Sequence, residues 1–186
     1  MMRVLVDCGH TGGSPGFDPG AVGPAGTKEA DVVLKVSKFL RDYLSLHDVE
    51  SILSRENDDA SIDELWTRVK MVEDNNCDIL VSIHCNAAEN QQAHGYERFT
   101  WTNDPPSAAL ADYIYESYSA FFPDMAGRGL KQANFGVLKG DFPSVLIELA
   151  FITNIVEEYF LNDEAMQMRM ARAIGEGILA WKEMSS

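Results

Sequence analysis

The feature that most constrains this chain is a set of short apolar runs with no polar residue inside them. Val4-Leu5-Val6, Ile79-Leu80-Val81 and Val145-Leu146-Ile147 show none of the alternation of a half-exposed strand. A strand of this kind has no face to give to water, so it belongs in a largely parallel sheet covered on both sides. Strands are expected at Arg3–Asp7, Val49–Ser54, Ile79–His84, Tyr96–Trp101, Gly136–Leu138 and Val145–Leu149. Helical periodicity fills the intervals. The first helix runs from about Ala30 to Leu46, with Val33, Val36, Leu40 and Leu44 on one face. A second starts at Ser61, where Glu64 completes a capping box. A third follows Pro105-Pro106 and carries Leu110, Ile114 and Tyr118 on one side. The last, from about Glu164 to Trp181, turns Met166, Met170, Ile174 and Ile178 inward. This alternation predicts an α/β domain: one twisted, mostly parallel mixed sheet of about six strands with helices on both faces. At 186 residues the chain reads as a single domain spanning 1–186, without linker, repeat or low-complexity tract.

The formal charge of −14 excludes two partner classes. Non-specific nucleic-acid binding needs a basic face that releases phosphate counterions, and docking on anionic lipid needs a polybasic patch. No apolar stretch reaches membrane-spanning length. The N-terminus turns acidic at Asp7 after three apolar residues, which reads as a strand and not as a signal peptide, so the sequence leaves the export route open. The three cysteines, Cys8, Cys77 and Cys85, are odd in number and are expected to be reduced.

The segment from Cys8 to Lys28 is rich in Gly and Pro, and a long irregular loop inside a compact domain is usually functional. It has neither G-x-x-x-x-G-K-[ST] nor G-x-G-x-x-G, so its glycines are expected to let backbone wrap closely around a site rather than hold a phosphate. In a parallel sheet, ligands bind beyond the carboxyl ends of the strands. There the sequence places His10 after the first strand, His84 at the end of the third and Glu148 in the last, while Glu29 opens the first helix. Glu148 lies in Val145-Leu146-Ile147-Glu148-Leu149-Ala150-Phe151, where an unpaired charge is very unfavourable. Two imidazoles and one carboxylate are a ligand set of catalytic zinc that leaves one position for water. A second carboxylate can then take the water's proton and pass it to a leaving nitrogen. A divalent cation also relieves the repulsion between neighbouring carboxylates.

These stretches give the chain a family likeness. It resembles the zinc-dependent N-acetylmuramoyl-L-alanine amidases of type 3. The matching stretches are Asp7-Cys8-Gly9-His10, Asp18-Pro19-Gly20-Ala21-Val22-Gly23, Lys28-Glu29 and Ser82-Ile83-His84-Cys85-Asn86-Ala87. Gly95-Tyr96-Glu97, Lys131-Gln132-Ala133-Asn134-Phe135 and Val145-Leu146-Ile147-Glu148-Leu149 follow in the family's order, so that the likeness covers nearly the whole chain. The resemblance implies a fold of the zinc-exopeptidase, phosphorylase/hydrolase-like kind. It implies one zinc ion held by His10, Glu29 and His84, with Glu148 as catalytic base, and hydrolysis of the amide between N-acetylmuramic acid and L-alanine in peptidoglycan. Asn86 and Glu97, beside motif residues, are expected to orient the ligands or touch substrate. The expected partner is peptidoglycan or a muropeptide, the expected place of action the bacterial cell wall outside the membrane, and the expected state a monomer. Another zinc peptidase or carboxypeptidase of similar fold, and a non-catalytic peptidoglycan-binding domain, remain as alternatives.

Three details depart from the family or bear on the ligand set. Thr11 stands where a glycine commonly follows the first ligand. Cys8 and Cys85 flank the ligand histidines; Cys85 is expected to face away from His84 on a continuing strand, and a contact between Cys8 and the metal is left open. The segment from Glu97 to Ser107 is too short for the inserted inhibitory helix of some relatives, and a separate wall-binding module is not expected. His47 and His94 are expected at the surface.

Overall fold

The computed structural model describes residues 1–58, 65–102 and 104–185. Six strands form one sheet: β1 (Met2–Cys8), β2 (Val49–Leu53), β3 (Ile79–Asn86), β4 (Tyr96–Thr100), β5 (Gly127–Gln132) and β6 (Ser144–Phe151). Their order is β2-β1-β3-β6-β4-β5. The β2, β1, β3 and β6 strands are mutually parallel, β4 runs antiparallel to β6, and β5 is parallel to β4. The helices are α1 (Glu29–Ser45), α2 (Leu65–Asp74), α3 (Pro105–Phe121), α4 (Ile155–Asn162) and α5 (Glu164–Ser185). None is long and apolar enough to cross a membrane.

The central strands are buried on both faces, as their unbroken apolar runs require. Val4, Val6 and Cys8 of β1, Ile79, Val81, Ile83 and Cys85 of β3, and Val145, Ile147 and Leu149 of β6 join the larger core, with α1, α3 and α5. The residues between them, Leu5, Leu80 and Leu146, face the other way into a smaller core with Val72 of α2, Val137 and Leu138. A side-chain period of two fixes this division. Toward the carboxyl ends of β1, β3 and β6 the smaller-core face turns polar: Leu5 is followed by Asp7, Leu80 by Ser82 and His84, and Leu146 by Glu148.

One expected element is corrected, and two others were not anticipated. Gly136–Leu138 is a single 3-10 turn and not a strand; a three-residue apolar run carries too little periodicity to separate the two. The sixth strand is instead β5, Gly127-Arg128-Gly129-Leu130-Lys131-Gln132, whose glycines and cations read locally as loop. The short helix α4 was not anticipated either; it is capped by the Asn154 side chain, which accepts from Val156 N and Glu157 N. The Ser61–Glu64 capping box lies outside the described residues. The third helix begins as its sequence suggests, with Asp104 capping Ser107 N and Pro105 in the first turn.

Leu149 is completely buried between β6 and the helices of the larger core. Leu149→Ala is expected to lower unfolding free energy by about 2–5 kcal/mol, measured by denaturant titration. A loss below about 1 kcal/mol would mean that this core closes over the cavity far better than such cores do.

Candidate metal centre

The site is built at the carboxyl ends of β1 and β3, where the chain brings three donor side chains together. His10 stands in the turn just beyond β1, at φ 62°, a left-handed conformation that a non-glycine residue keeps only where its surroundings enforce it. His84 lies near the end of β3, and Glu29 is the first residue of α1. The Glu29 carboxylate is buried and joins the two imidazoles: Oε2 is 3.0 Å from His10 Nε2, and Oε1 is 2.9 Å from His84 Nδ1. Its oxygens also accept from Ala21 N and Cys85 N, both at 2.9 Å. The two rings meet edge to face at 5.0 Å. One donor atom from each of His10, Glu29 and His84 lies within 4.8 Å of the others, and among the described residues this is the group able to hold a metal ion.

The neighbouring backbone leaves room for an ion by lacking side chains. A Cβ on Gly20, at φ 67°, would stand 2.7 Å from both His10 Nε2 and Glu29 Oε2. One on Gly9 would stand 2.5–2.8 Å from the His84 ring. The far nitrogen of His10 is taken: Nδ1 meets Asp18 Oδ2 at 2.7 Å, which leaves Nε2 directed at the centre. Asp18 is itself fixed by Gly20 N and, through its backbone N–H, by Thr11 Oγ1 at 2.8 Å. Thr11 therefore ties the two arms of the loop together, which is the work of the residue that departs from the family pattern.

Charge follows from this geometry. Burial opposes a charged His10, but Glu29 and Asp18 outweigh it and carry its pKa up to about 9. Burial likewise opposes charge on His84, and Glu29 reverses it, so that His84 is also raised. Burial raises Glu29, yet the two imidazoles hold it well below the usual carboxylate range. Two neutral imidazole nitrogens and a carboxylate are the donors that a divalent transition metal takes in exchange for protons. The residues thus fit such an ion.

Glu148 sits on β6 in register with His84. It is pushed up to about 7 by burial, with Glu29 and Glu97 acting in the same direction and His84 opposing. Its Oε2 is buried without a hydrogen-bond partner. Glu97, its antiparallel partner on β4, is buried and paired with Arg128 and Lys131; burial raises it, and those cations bring it below its ordinary value. Asn86 lies at the end of β3, half-buried, with Oδ1 accepting from Ala87 N at 2.9 Å. Cys85 faces the larger core, opposite His84. Cys8 does too, its Sγ directed at Val6 O and Arg55 O, outside the donor group. His47 and His94 are exposed.

Two buried arginines were not anticipated. Arg55 donates to Cys8 O, Gly9 O and Ala30 O at 3.3, 3.0 and 2.8 Å. Arg68 pairs with Asp7 at 2.6 Å and donates to Cys8 O and His10 O at 2.7 and 2.5 Å. Together they grip the three carbonyls that lead into and through the His10 turn. Within Ser54-Arg55-Glu56-Asn57-Asp58 and on an amphipathic helix these residues look like solvated charges; only their tertiary setting marks them.

In the metal-free protein, His10 and His84 contribute stability that is full below their unfolded pKa near 6.5 and declines as pH rises, for His10 through about 9. The melting temperature of chelator-treated protein should fall across that window, and His10→Asn should flatten much of the fall; a melting temperature rising from pH 6.5 to 9 would contradict the pairing. Arg68→Met strands the Asp7 carboxylate, which is 1% exposed. It should cost about 3–5 kcal/mol in denaturant unfolding and weaken metal uptake measured by calorimetry.

Comparison with known proteins places the chain among amidases. The sequence pattern described as N-acetylmuramoyl-L-alanine amidase matches residues 4–180. The chain is 30% identical to N-acetylmuramoyl-L-alanine amidase AmiA of Escherichia coli K12, over 96% of this chain and 75% of that protein. It superposes on the solved N-acetylmuramoyl-L-alanine amidase AmiC2 of Nostoc punctiforme with a TM-score of 0.89, at 32% identity over 98% of this chain and 97% of the other. The CwlD amidase of Clostridioides difficile, solved in complex with the GerS lipoprotein, gives 0.91 at 29% identity over 99% and 100% of the two chains. With nearly its whole length matched, the chain belongs to the N-acetylmuramoyl-L-alanine amidase family.

Proposed function

We propose that this protein is a zinc-dependent amidase that hydrolyses the bond between N-acetylmuramic acid and L-alanine in peptidoglycan, and so acts at the cell wall outside the membrane. The observation that carries the reading is the buried, unpartnered oxygen of Glu148 across the β3–β6 pair from His84. A charge buried at that position is costly, and an ionisable group kept beside a candidate metal group despite that cost is a functional-site candidate.

His10, Glu29 and His84 would hold one zinc ion. When bound, zinc supplies Lewis acidity toward a carbonyl and lowers the pKa of an adjacent water. The rest falls to the chain's own groups. Glu148 takes a proton from the attacking water while the water oxygen bonds to the lactyl carbonyl carbon. It then delivers that proton to the alanine nitrogen as the C–N bond breaks, leaving a lactyl carboxylate and a free amino terminus. A proton carrier works best with a pKa near the working pH; in the metal-free protein burial raises Glu148 to about 7, and a bound cation would draw it down from there. Asp18 keeps the His10 ring turned, and the arginine pair keeps its turn in place. Glu97, held ionised beside Glu148, discourages a second negative charge there. Asn86 shapes the end of β3 through its bond to Ala87 N.

Purified muropeptides incubated with zinc-loaded protein should yield free L-alanine amino termini and intact lactyl sugars, and a chelator should stop the reaction. Release of a C-terminal amino acid would point to a carboxypeptidase and overturn the assignment. Glu148→Gln should retain zinc and lose about 10²–10⁴ in kcat. Undiminished turnover in that variant would remove Glu148 from the mechanism.

A further inference from the structure

The β5 strand departs from regularity at one place, and that departure decides where two cations point. Tyr96 of β4 faces Gly127, and Arg98 faces Leu130, so a step of two residues on β4 is matched by three on β5. Gly129, at φ 85°, lies inside this bulge. A bulge of one residue re-aims the side chains around it and recurs beside active sites. In a regular strand, residues three apart face opposite sides. Here Arg128 and Lys131 reach the same atom, Glu97 Oε1, Arg128 through Nε and Lys131 through Nζ at 2.9 Å.

Glu97 is the strand partner of Glu148, so the bulge sets two cations beside the proposed base. Both converge on one oxygen of Glu97, and both side chains are open to solvent at 40% and 42%, so their remaining donors face outward. Arg128 is further placed by the Phe151 ring, 5.0 Å away, and by His94 O, which its Nη1 reaches at 3.5 Å. Lys131 Nζ stands 5.8 Å from the Phe99 ring. Arg98, between Glu97 and Phe99 on β4, shows the contrast: it pairs with Asp112 of α3 and lies over Tyr115. Both cations stand at the open rim of the site, on the strand next to the one that carries Glu97. A charged side chain at such a rim recognises a charged ligand, and cation–carboxylate hydrogen bonds are among the stronger polar contacts.

We propose that Arg128 and Lys131 form a carboxylate-binding subsite that receives an acidic group of the peptide on the leaving side of the scissile amide. This rests on the amidase reading. On the sugar side the lactyl carboxyl is already consumed in the amide, so the substrate's free carboxylates lie on the peptide side. The residue after L-alanine in a stem peptide is a γ-linked glutamate whose α-carboxyl is either free or amidated, and the peptide's C-terminus is a second source of the same chemistry.

The test uses zinc-loaded protein and muramoyl tripeptides identical except at those two groups: residue two as acid or carboxamide, and C-terminus as acid or carboxamide. Wild type should prefer one acid over its amide by about tenfold or more in kcat/KM, mainly through KM, and the pair showing the preference identifies the carboxylate. In Arg128→Gln/Lys131→Gln the ratio should fall toward one, whatever the absolute rate. If the cations only steady Glu97, acid and amide rates fall together and the ratio stays as in wild type; that result overturns the subsite, as does equal cleavage of acids and amides by wild type. Absence of cleavage of every muramoyl peptide overturns the subsite and the amidase reading together.

Discussion

A single buried carboxylate holds this site together. Glu29 accepts from Ala21 N in the Gly-rich loop and Cys85 N on β3, and it faces His10 and His84 with its two oxygens. Burying an ionised carboxylate is unfavourable unless its lone pairs are satisfied, and here four partners from three segments satisfy them. The same contacts explain why His10 can stand at φ 62°: the turn is fixed from outside, so local strain does not relax it. What a metal ion would find is a donor set already gathered, with protons in the place of the cation.

The turn is also gripped from beneath and from the flank. Arg55 and Arg68 spend their donors on the carbonyls of residues 8–10 and on Ala30 O. On the outer side, α4 presents two buried carboxylates in its first turn. Glu158 accepts from Ala25 N and Thr27 N, closing the end of the Gly-rich loop. Glu157 accepts from Gly95 N and Phe151 N, fastening the start of β4 to the end of β6. An acidic residue in the first turn of a helix is favoured by the helix dipole, and here that preference doubles as a clamp on two loops. Irregular backbone around the site is held by ionic groups because it has no ladder of its own.

Much of this was legible in the sequence, for a physical reason. An unbroken apolar run implies burial on both faces, and a histidine or glutamate at its end then has few places to be other than the rim. That logic located β1, β3 and β6 and with them His10, His84 and Glu148. Glu29 came into view as the acid that closes the Gly-rich loop and opens the first helix, and the resemblance gave it a role that its position alone leaves open. What escaped was whatever depends on proximity without periodicity. β5 reads as loop because two glycines and two cations hide its register. Arg55, Arg68, Glu157 and Glu158 look like ordinary surface charges until the fold places backbone carbonyls or amides around them. Asp18 stood in a recognised stretch, yet nothing local reveals that its partner is the far nitrogen of His10.

The polarity of the sheet shows why the fold and the chemistry are hard to separate. On the α2 face, each central strand passes from leucine to polar residues over its last turns of pleat: Leu5 to Asp7, Leu80 to Ser82 and His84, Leu146 to Glu148. Asp7 and Ser82 are bonded to each other at 2.6 Å and lie between the apolar stretch and the donor group. They form a buried polar layer between the smaller core and the His10–Glu29–His84 group, anchored by Arg68. The opposite face has no such gradient; Cys8, Cys85 and Leu149 stay apolar to the end. A one-residue slip of β3 or β6 would send His84 or Glu148 into the larger core and an apolar neighbour to the polar face. The register that packs the core is therefore the register that assembles the site, and selection for the chemistry and for the fold act on the same hydrogen-bond ladder.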